Sequence, residues 1–305
     1  MRLVTGSRGP LGFALQSLVS DEHNLFVNSS KFDLTDSYST LTFMERIHKS
    51  EKIDSILHLA ARSGGGHRSL KESAWMIRDN VLMAINILDA CAKFGIRNIV
   101  LVGSTASYPT NAINPTEEQI HNGEIESGDY AYGYAKRLLV PLMKAYNQQF
   151  DLHAKVVIVN GILGPHMNFD PASSILPAAL ISRFAQKKDS EEKLEVWGDG
   201  TPTRQYTHAQ DLAQILLWCE KNQAKDSVLN VGATESITVR RMAELICENL
   251  GIKAERLFFD SSKPNGKKAQ EMENSKFIQL SGFQYMSIEE SVRDTVRWYV
   301  ENLKP

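Results

Sequence analysis

Cysteine is scarce in this chain: three occur in 305 residues, Cys91, Cys219 and Cys247, each alone in an apolar, helix-like run. None forms a CxxC pair or a metal-ligand spacing. A disulfide framework and a zinc site are therefore excluded, and reduced core thiols of a cytoplasmic protein are expected. No apolar run nears the 18 residues that a membrane span requires, and Met1-Arg2-Leu3-Val4 already reads as the start of a strand with no leader before it. Neither charge sign dominates. Lys and Arg number 34 against 36 Asp and Glu, a formal net charge of −2 that provides no electrostatic footprint for nucleic acid or an anionic membrane. Internal repeats and low-complexity tracts are missing as well. With 42% hydrophobic and 23% charged residues, the chain suits one large α/β domain or a nucleotide-binding domain with a smaller lobe.

What is present begins at once. Residues 2–5 form a short apolar strand that runs into Gly6-Ser7-Arg8-Gly9-Pro10-Leu11-Gly12 and then an amphipathic run over 11–18. Glycines after a first strand let the backbone turn tightly and approach a pyrophosphate resting on the helix N-terminus, and Pro10 suits the first helical turn. The second strand, 24–27, leads to Asn28-Ser29-Ser30-Lys31, with no carboxylate before Asp33 to bind a ribose 2′-hydroxyl. Arg8 and Lys31 either hold a 2′-phosphate or are solvated cations; NADPH is expected in preference to NADH. Asp33 and Leu34 lie in an Asp-Leu-Thr-Asp loop expected near the adenine, and Leu59-Ala60-Ala61 leaves room for the cofactor at the end of the third strand, 54–58. Gly64-Gly65-Gly66 is a flexible loop, either a lid or a linker.

A long amphipathic helix over 75–94 precedes a buried strand, 98–103, that delivers Ser104 at its carboxyl end, where ligands collect in an open α/β sheet. Next come three tyrosines. Tyr130 has Tyr134 four residues on, Tyr134 has Leu138, and only Tyr132 has a lysine, Lys136. Four residues apart on a helix is one face. An ammonium beside a phenol is expected to lower its pKa from about 10 and make Tyr132 a proton donor or acceptor near neutral pH. The alternation of strands and helices through a strand at 155–160 defines a Rossmann-type doubly wound parallel sheet. Shorter elements follow, with a polar turn at 198–202, a charged loop at 263–268, and a last helix over 287–302 with Ser287 as N-cap and Glu290 at the capping-box position. Residues 1–160 with about 205–235 are assigned to the dinucleotide-binding domain. About 161–204 with 236–305 are assigned to a smaller mixed α/β nucleotide-sugar-binding lobe.

These motifs resemble the extended short-chain dehydrogenase/reductase superfamily. The second half narrows the resemblance: Gly164-Pro165-His166-Met167-Asn168-Phe169-Asp170-Pro171, Ile181-Ser182-Arg183-Phe184, Val196 through Tyr206, and Asn230-Val231-Gly232 are similar to the GDP-L-fucose synthase family, whose members epimerise C3 and C5 and reduce C4 of GDP-4-keto-6-deoxy-mannose. The resemblance extends through Lys263-Pro264-Asn265-Gly266. It implies that Ser104 hydrogen-bonds the 4-keto oxygen, Tyr132 protonates it, and Lys136 tunes Tyr132 and holds the nicotinamide ribose. It also implies that Thr105, Asn168, Arg183, Trp197, Arg204 and Lys263 contact the GDP-sugar. Read alone, each arginine serves equally as a surface salt-bridge partner and Asn168 as a turn former. A homodimer is expected, built on the runs 75–94 and 130–150, although Leu138, Leu142 and Tyr146 serve equally as internal core.

Two departures bear on the chemistry. The family's epimerase cysteine, two residues after the serine, is replaced by Ala106, and the segment Pro171 to Pro177 lacks the expected histidine. Losing a positioned acid or base typically costs ~10²–10⁴-fold each. Gly161 and Ala269 also differ from the family pattern and suggest a reshaped sugar pocket. The expected activity is therefore C4 reduction of a GDP-4-keto-6-deoxy hexose or heptose without epimerisation, serving surface-polysaccharide sugars after a separate 3,5-epimerase. His67 is the remaining candidate to substitute for the missing acid. The alternatives are the bifunctional epimerase/reductase, a 4-epimerase with tightly bound NAD, and a non-catalytic nucleotide-sugar or NADP-binding module. A 4,6-dehydratase would need acids just after the serine, where Thr105 and Ala106 are neutral.

Overall fold

A computed structural model describes residues 1–64, 70–222, 224 and 227–303. Strands β1 (Arg2–Thr5), β2 (Asn24–Val27), β3 (Ser55–His58), β4 (Asn98–Ser104), β5 (His153–Val159) and β9 (Val228–Val231) form one parallel sheet in the order β2-β1-β3-β4-β5-β9. Their sequences are near-continuous apolar runs because both faces are covered. Side chains alternate by two: Leu3, Ile56, Ile99, Leu101, Val156 and Ile158 enter one core. Val4, Leu57, Val100, Val102, Val157 and Val159 enter the other. Helices α2 (Ser37–Ser50) and α3 (Ser73–Phe94) cover the first face; α1 (Pro10–Leu18) and α7 (Ala209–Asn222) cover the second. The chain leaves β1 toward β2 and returns past it to β3, so the crevice for a ligand opens at the carboxyl ends of β1 and β3.

The run over 130–150 is not one helix. It divides at Leu138 into α4 (Tyr130–Arg137) and α5 (Leu139–Phe150). Pro141, four residues after Arg137, has no N–H for the Arg137 carbonyl, so the ladder fails there. Both cysteines of the helices flanking the sheet are buried, as is Cys247, and burial raises all three thiol pKa values.

The second lobe is mixed, as its shorter sequence elements suggested. Strand β8 (Thr203–His208) pairs antiparallel with β10 (Ser236–Thr238) and parallel with β6 (Gly161–Leu163) and β12 (Ala269–Gln270). A parallel pair, β7 (Leu194–Trp197) with β11 (Leu257–Asp260), lies apart. A third core packs α6 (Leu176–Gln186), α8 (Val239–Leu250) and α10 (Ile288–Asn302), with α9 (Ser275–Ser281) preceding the last. Ser287 caps α10 by accepting the Glu290 N–H at 3.3 Å. The reciprocal half of the capping box differs from expectation: the Glu290 carboxylate accepts the Ser287 hydroxyl at 3.0 Å instead of the backbone N–H.

Candidate active site

One cleft of about 1780 Å³ runs from the glycine loop, past Ser104 and Tyr132, to Arg183 and Trp197. Sites for a single drug-sized ligand are ~300–1,000 Å³, so this one has room for two nucleotide-sized molecules.

The cofactor end starts at the glycine loop. Gly6 has φ +77°, and a Cβ there would come within 2.6 Å of the Ala60 backbone nitrogen, so the turn lies directly on the end of β3. Gly9 precedes α1 with no side chain capping it, and Pro10 takes the first helical position. The next helix N–H groups thus face the cleft without side-chain partners, an arrangement suited to a diphosphate. Arg8, Asn28, Ser29, Asp33, Leu34, Leu59, Ala60 and Ala61 line the same wall, as does Phe32. The Asp33 carboxylate is occupied by the Thr35 N–H and hydroxyl, both at 2.8 Å. Lys31 departs from expectation: it is exposed and absent from the cleft wall, because its turn, closed by its N–H on the Asn28 carbonyl at 2.9 Å, carries it outward. Arg8 is left as the one cation of the expected pair on the wall.

The reaction end is held by close packing. A Cβ on Gly133 would come within 2.4 Å of the Ala106 carbonyl oxygen, so glycine lets α4 lie against the turn that follows β4. That contact sets Tyr132 beside Ser104, close enough for the serine hydroxyl to act on the phenol. Ser104 Oγ also accepts the Ala106 N–H at 3.2 Å. Lys136 is 5% exposed and donates from Nζ to the Val102 carbonyl at 2.8 Å. Its Nζ lies 5.8 Å from the Tyr132 ring centroid.

The electrostatics here reverse one expectation. Burial pushes the Tyr132 phenol up to about 12, with the Ser104 hydrogen bond acting in the other direction and the Asp129 charge adding to the rise. Burial likewise pushes Lys136 down to about 8. Desolvation is the largest cause, and the lowering expected from the lysine is not seen. Tyr132 is therefore held as a proton donor. Sequence reading also missed His58, buried under this site with Nδ1 2.9 Å from Thr5 Oγ1 and held down to about 3 by burial and then by the Lys136 charge. Its position as a polar end to an apolar strand was the available signal.

At the far end, Thr105, Asn168, Arg183, Trp197 and Arg204 all reach the cleft wall. Arg183 spends one nitrogen on the Glu195 carbonyl at 2.7 Å, and Arg204 donates to the Thr203 carbonyl at 2.7 Å. Asn168 serves its loop, donating to Ser173 Oγ at 2.9 Å and accepting the Asp170 N–H at 3.1 Å. Lys263 does not reach the wall; it is exposed, with its N–H closing a turn on the Asp260 carbonyl at 3.1 Å. Lys267 and Gln270 take that place on the wall, and Gln270 donates to Thr105 Oγ1 at 3.3 Å. Gly161 is explained by Tyr206, whose ring would lie 2.4 Å from any Cβ added there. His67, Gly65 and Gly66 lie outside the described residues.

Residues 2–232 match the family model described as the NAD dependent epimerase/dehydratase family. This chain belongs to that family. It is an NAD(P)(H)-dependent oxidoreductase of the extended short-chain dehydrogenase/reductase type, acting on nucleotide sugars. Among its relatives, the GDP-L-fucose synthase of Dictyostelium discoideum is 30% identical, over 98% of this chain and 95% of that protein. The GDP-L-fucose synthase of Escherichia coli (strain K12) is 29% identical, over 98% and 96%. The solved structure of a GDP-L-fucose synthetase from Naegleria fowleri bound to NADP superposes with a TM-score of 0.89 at 28% identity, covering 99% of this chain and 92% of that one.

Proposed function

We propose that this protein reduces the C4 ketone of a GDP-linked 4-keto-6-deoxy hexose or heptose with NADPH, and leaves C3 and C5 untouched. The observation that carries this reading is the cleft-lining cluster of Ser104, Tyr132 and Lys136, with buried Ala106 beside it where a second acid or base would have to stand. When bound, the nicotinamide cofactor supplies the hydride for C4. The chain supplies the rest. Ser104 and Tyr132 both line the cleft and would orient a carbonyl oxygen between them; Tyr132, held protonated, gives that oxygen its proton. Protons placed on a developing oxyanion in this way are worth ~10²–10⁴-fold. Arg183 and Arg204 suit the diphosphate by charge-assisted hydrogen bonds, and exposed Trp197 gives a flat face for the base. Arg8 at the adenosine end, with no free carboxylate at the end of β2, supports NADPH, as does the NADP-bound relative.

A second reading is favoured by a different observation. The relatives that match across 98% of this chain carry the name GDP-L-fucose synthase, which would make the protein a bifunctional epimerase and reductase. The deciding experiment is NMR of the product formed from GDP-4-keto-6-deoxy-mannose and NADPH in deuterated water, with and without a separate 3,5-epimerase. We expect a C4 alcohol with no deuterium at C3 or C5 unless the epimerase is added. Deuterium placed there by this protein alone establishes the bifunctional reading; no reduction under either condition overturns both.

A further inference from the structure

The cleft holds a set of charges that the reduction leaves unused. Asp129, at the N-cap of α4, and Glu126 line the cleft together with Tyr132, Arg204 and Lys267. Asp129 occupies the N-cap position yet makes no capping hydrogen bond, and among the described residues its carboxylate has no hydrogen bond or ion pair within bonding distance. Its charge is nonetheless felt by both Lys267 and Tyr132. Lys267 is half-buried, with a single long contact from Nζ to the Pro109 carbonyl at 3.5 Å. Burial disfavours the charged form of each, raising the Asp129 pKa and lowering that of Lys267.

Opposite charges facing one another in a partly desolvated cleft normally close into an ion pair. These do not close into a pair, so the cleft lining beside the tyrosine keeps an unpaired acceptor together with cationic donors. A diphosphate is excluded from that stretch of the lining by Asp129 and Glu126, and an apolar group would strand both charges. A sugar hydroxyl satisfies both, donating to the carboxylate while accepting from the ammonium or guanidinium.

Resting on the reading of a GDP-linked keto-sugar, we infer that Asp129 and Lys267 clamp a hydroxyl of the sugar ring next to the reacting carbon, and so set which sugar is accepted. Both are specificity-determining groups, with Arg204 completing the donor set.

The test uses the full-length protein saturated with NADP⁺, which cannot reduce the sugar, titrated calorimetrically with GDP and with GDP-4-keto-6-deoxy-mannose. Asp129→Asn and Lys267→Met are compared with wild type. Both variants should bind GDP and NADP⁺ within about twofold of wild type and the keto-sugar nucleotide ~10-fold or more weaker, the range of a lost charge-assisted hydrogen bond. Unchanged NADP⁺ binding also shows that the variants fold. Equal weakening for GDP and the sugar nucleotide, or no weakening for either, overturns the inference while leaving GDP-sugar binding by the wild type intact. Wild-type protein that binds neither guanosine ligand overturns the underlying reading, and the clamp with it.

Discussion

The two ends of the cleft are built on opposite principles. At the reaction end, Lys136 is 5% and His58 3% exposed, and both sit on or against a strand whose position the parallel sheet dictates. At the nucleotide end, Trp197 is 59% exposed, and Arg183 and Arg204 partly spend their donors on neighbouring carbonyls. Burial is what shifts a proton affinity, and rigid elements are what hold two groups within hydrogen-bond reach. Recognition of a flexible nucleotide needs neither to the same degree. Proton affinities are therefore shifted where the cleft is dry and stiff, and much less where it is open.

The contrast is tested most severely at Tyr132. Tyr132→Phe removes the proton donor and keeps the ring, so kcat should fall ~10²–10⁴-fold with KM for the sugar nucleotide nearly unchanged. Steady-state kinetics decide it; a variant that turns over normally would mean that the dry end does no proton chemistry.

Lys136 sharpens the same contrast through pH. Its folded-state pKa is lowered from 10.5 to about 8, so between those values the unfolded chain holds a proton that the folded chain has released. The sign follows: this group's contribution to stability increases as pH rises from 8 to 10.5, and at neutral pH its burial is a cost of roughly 3 kcal/mol. Lys136→Met should thus leave Tm at pH 7 equal to or above that of the wild type, since the Val102 carbonyl loses its donor in partial offset, while reduction is lost. In the wild type, kcat/KM should decline above about pH 8 as the ammonium discharges. Thermal scans and a pH–rate profile check both, and a Tm several degrees lower would show that the lysine is a structural support instead.

The smallest effect is expected at the wall between the two ends. Gly161→Ala drives a methyl group into the Tyr206 ring, an overpacking that costs ~1–3 kcal/mol. Thermal melting should show a decrease of roughly 2–5 °C for a chain of this size. Adding Tyr206→Leu should recover most of it. Failure of the second change to rescue the first would mean that the backbone, and not the aromatic ring, demands glycine there.

Much of this was legible before any coordinates. Apolar runs of four to seven residues, a glycine turn after the first, and a serine ending another could only form a parallel sheet with its ligands at one edge. The pairing of Tyr132 with Lys136 followed from helix spacing alone. The charged loop at 263–268 was legible as a loop, but which of its lysines faces the cleft was not. A loop has no period to read, and its turn sends Lys263 outward and brings Lys267 in. Lys31 fails for the same reason.

By itself, then, the sequence determined the sheet, the glycine turn, and the spacing of Ser104, Tyr132 and Lys136, because each depends on local periodicity and short-range backbone geometry. Tertiary structure alone decided the protonation states of Tyr132 and Lys136, which depend on how much water each group loses. It also decided the burial of His58, the ring that excludes a side chain at Gly161, and the unpaired charges of Asp129 and Lys267. Each of these is a property of groups brought together from separate parts of the chain, and exists only once the elements pack.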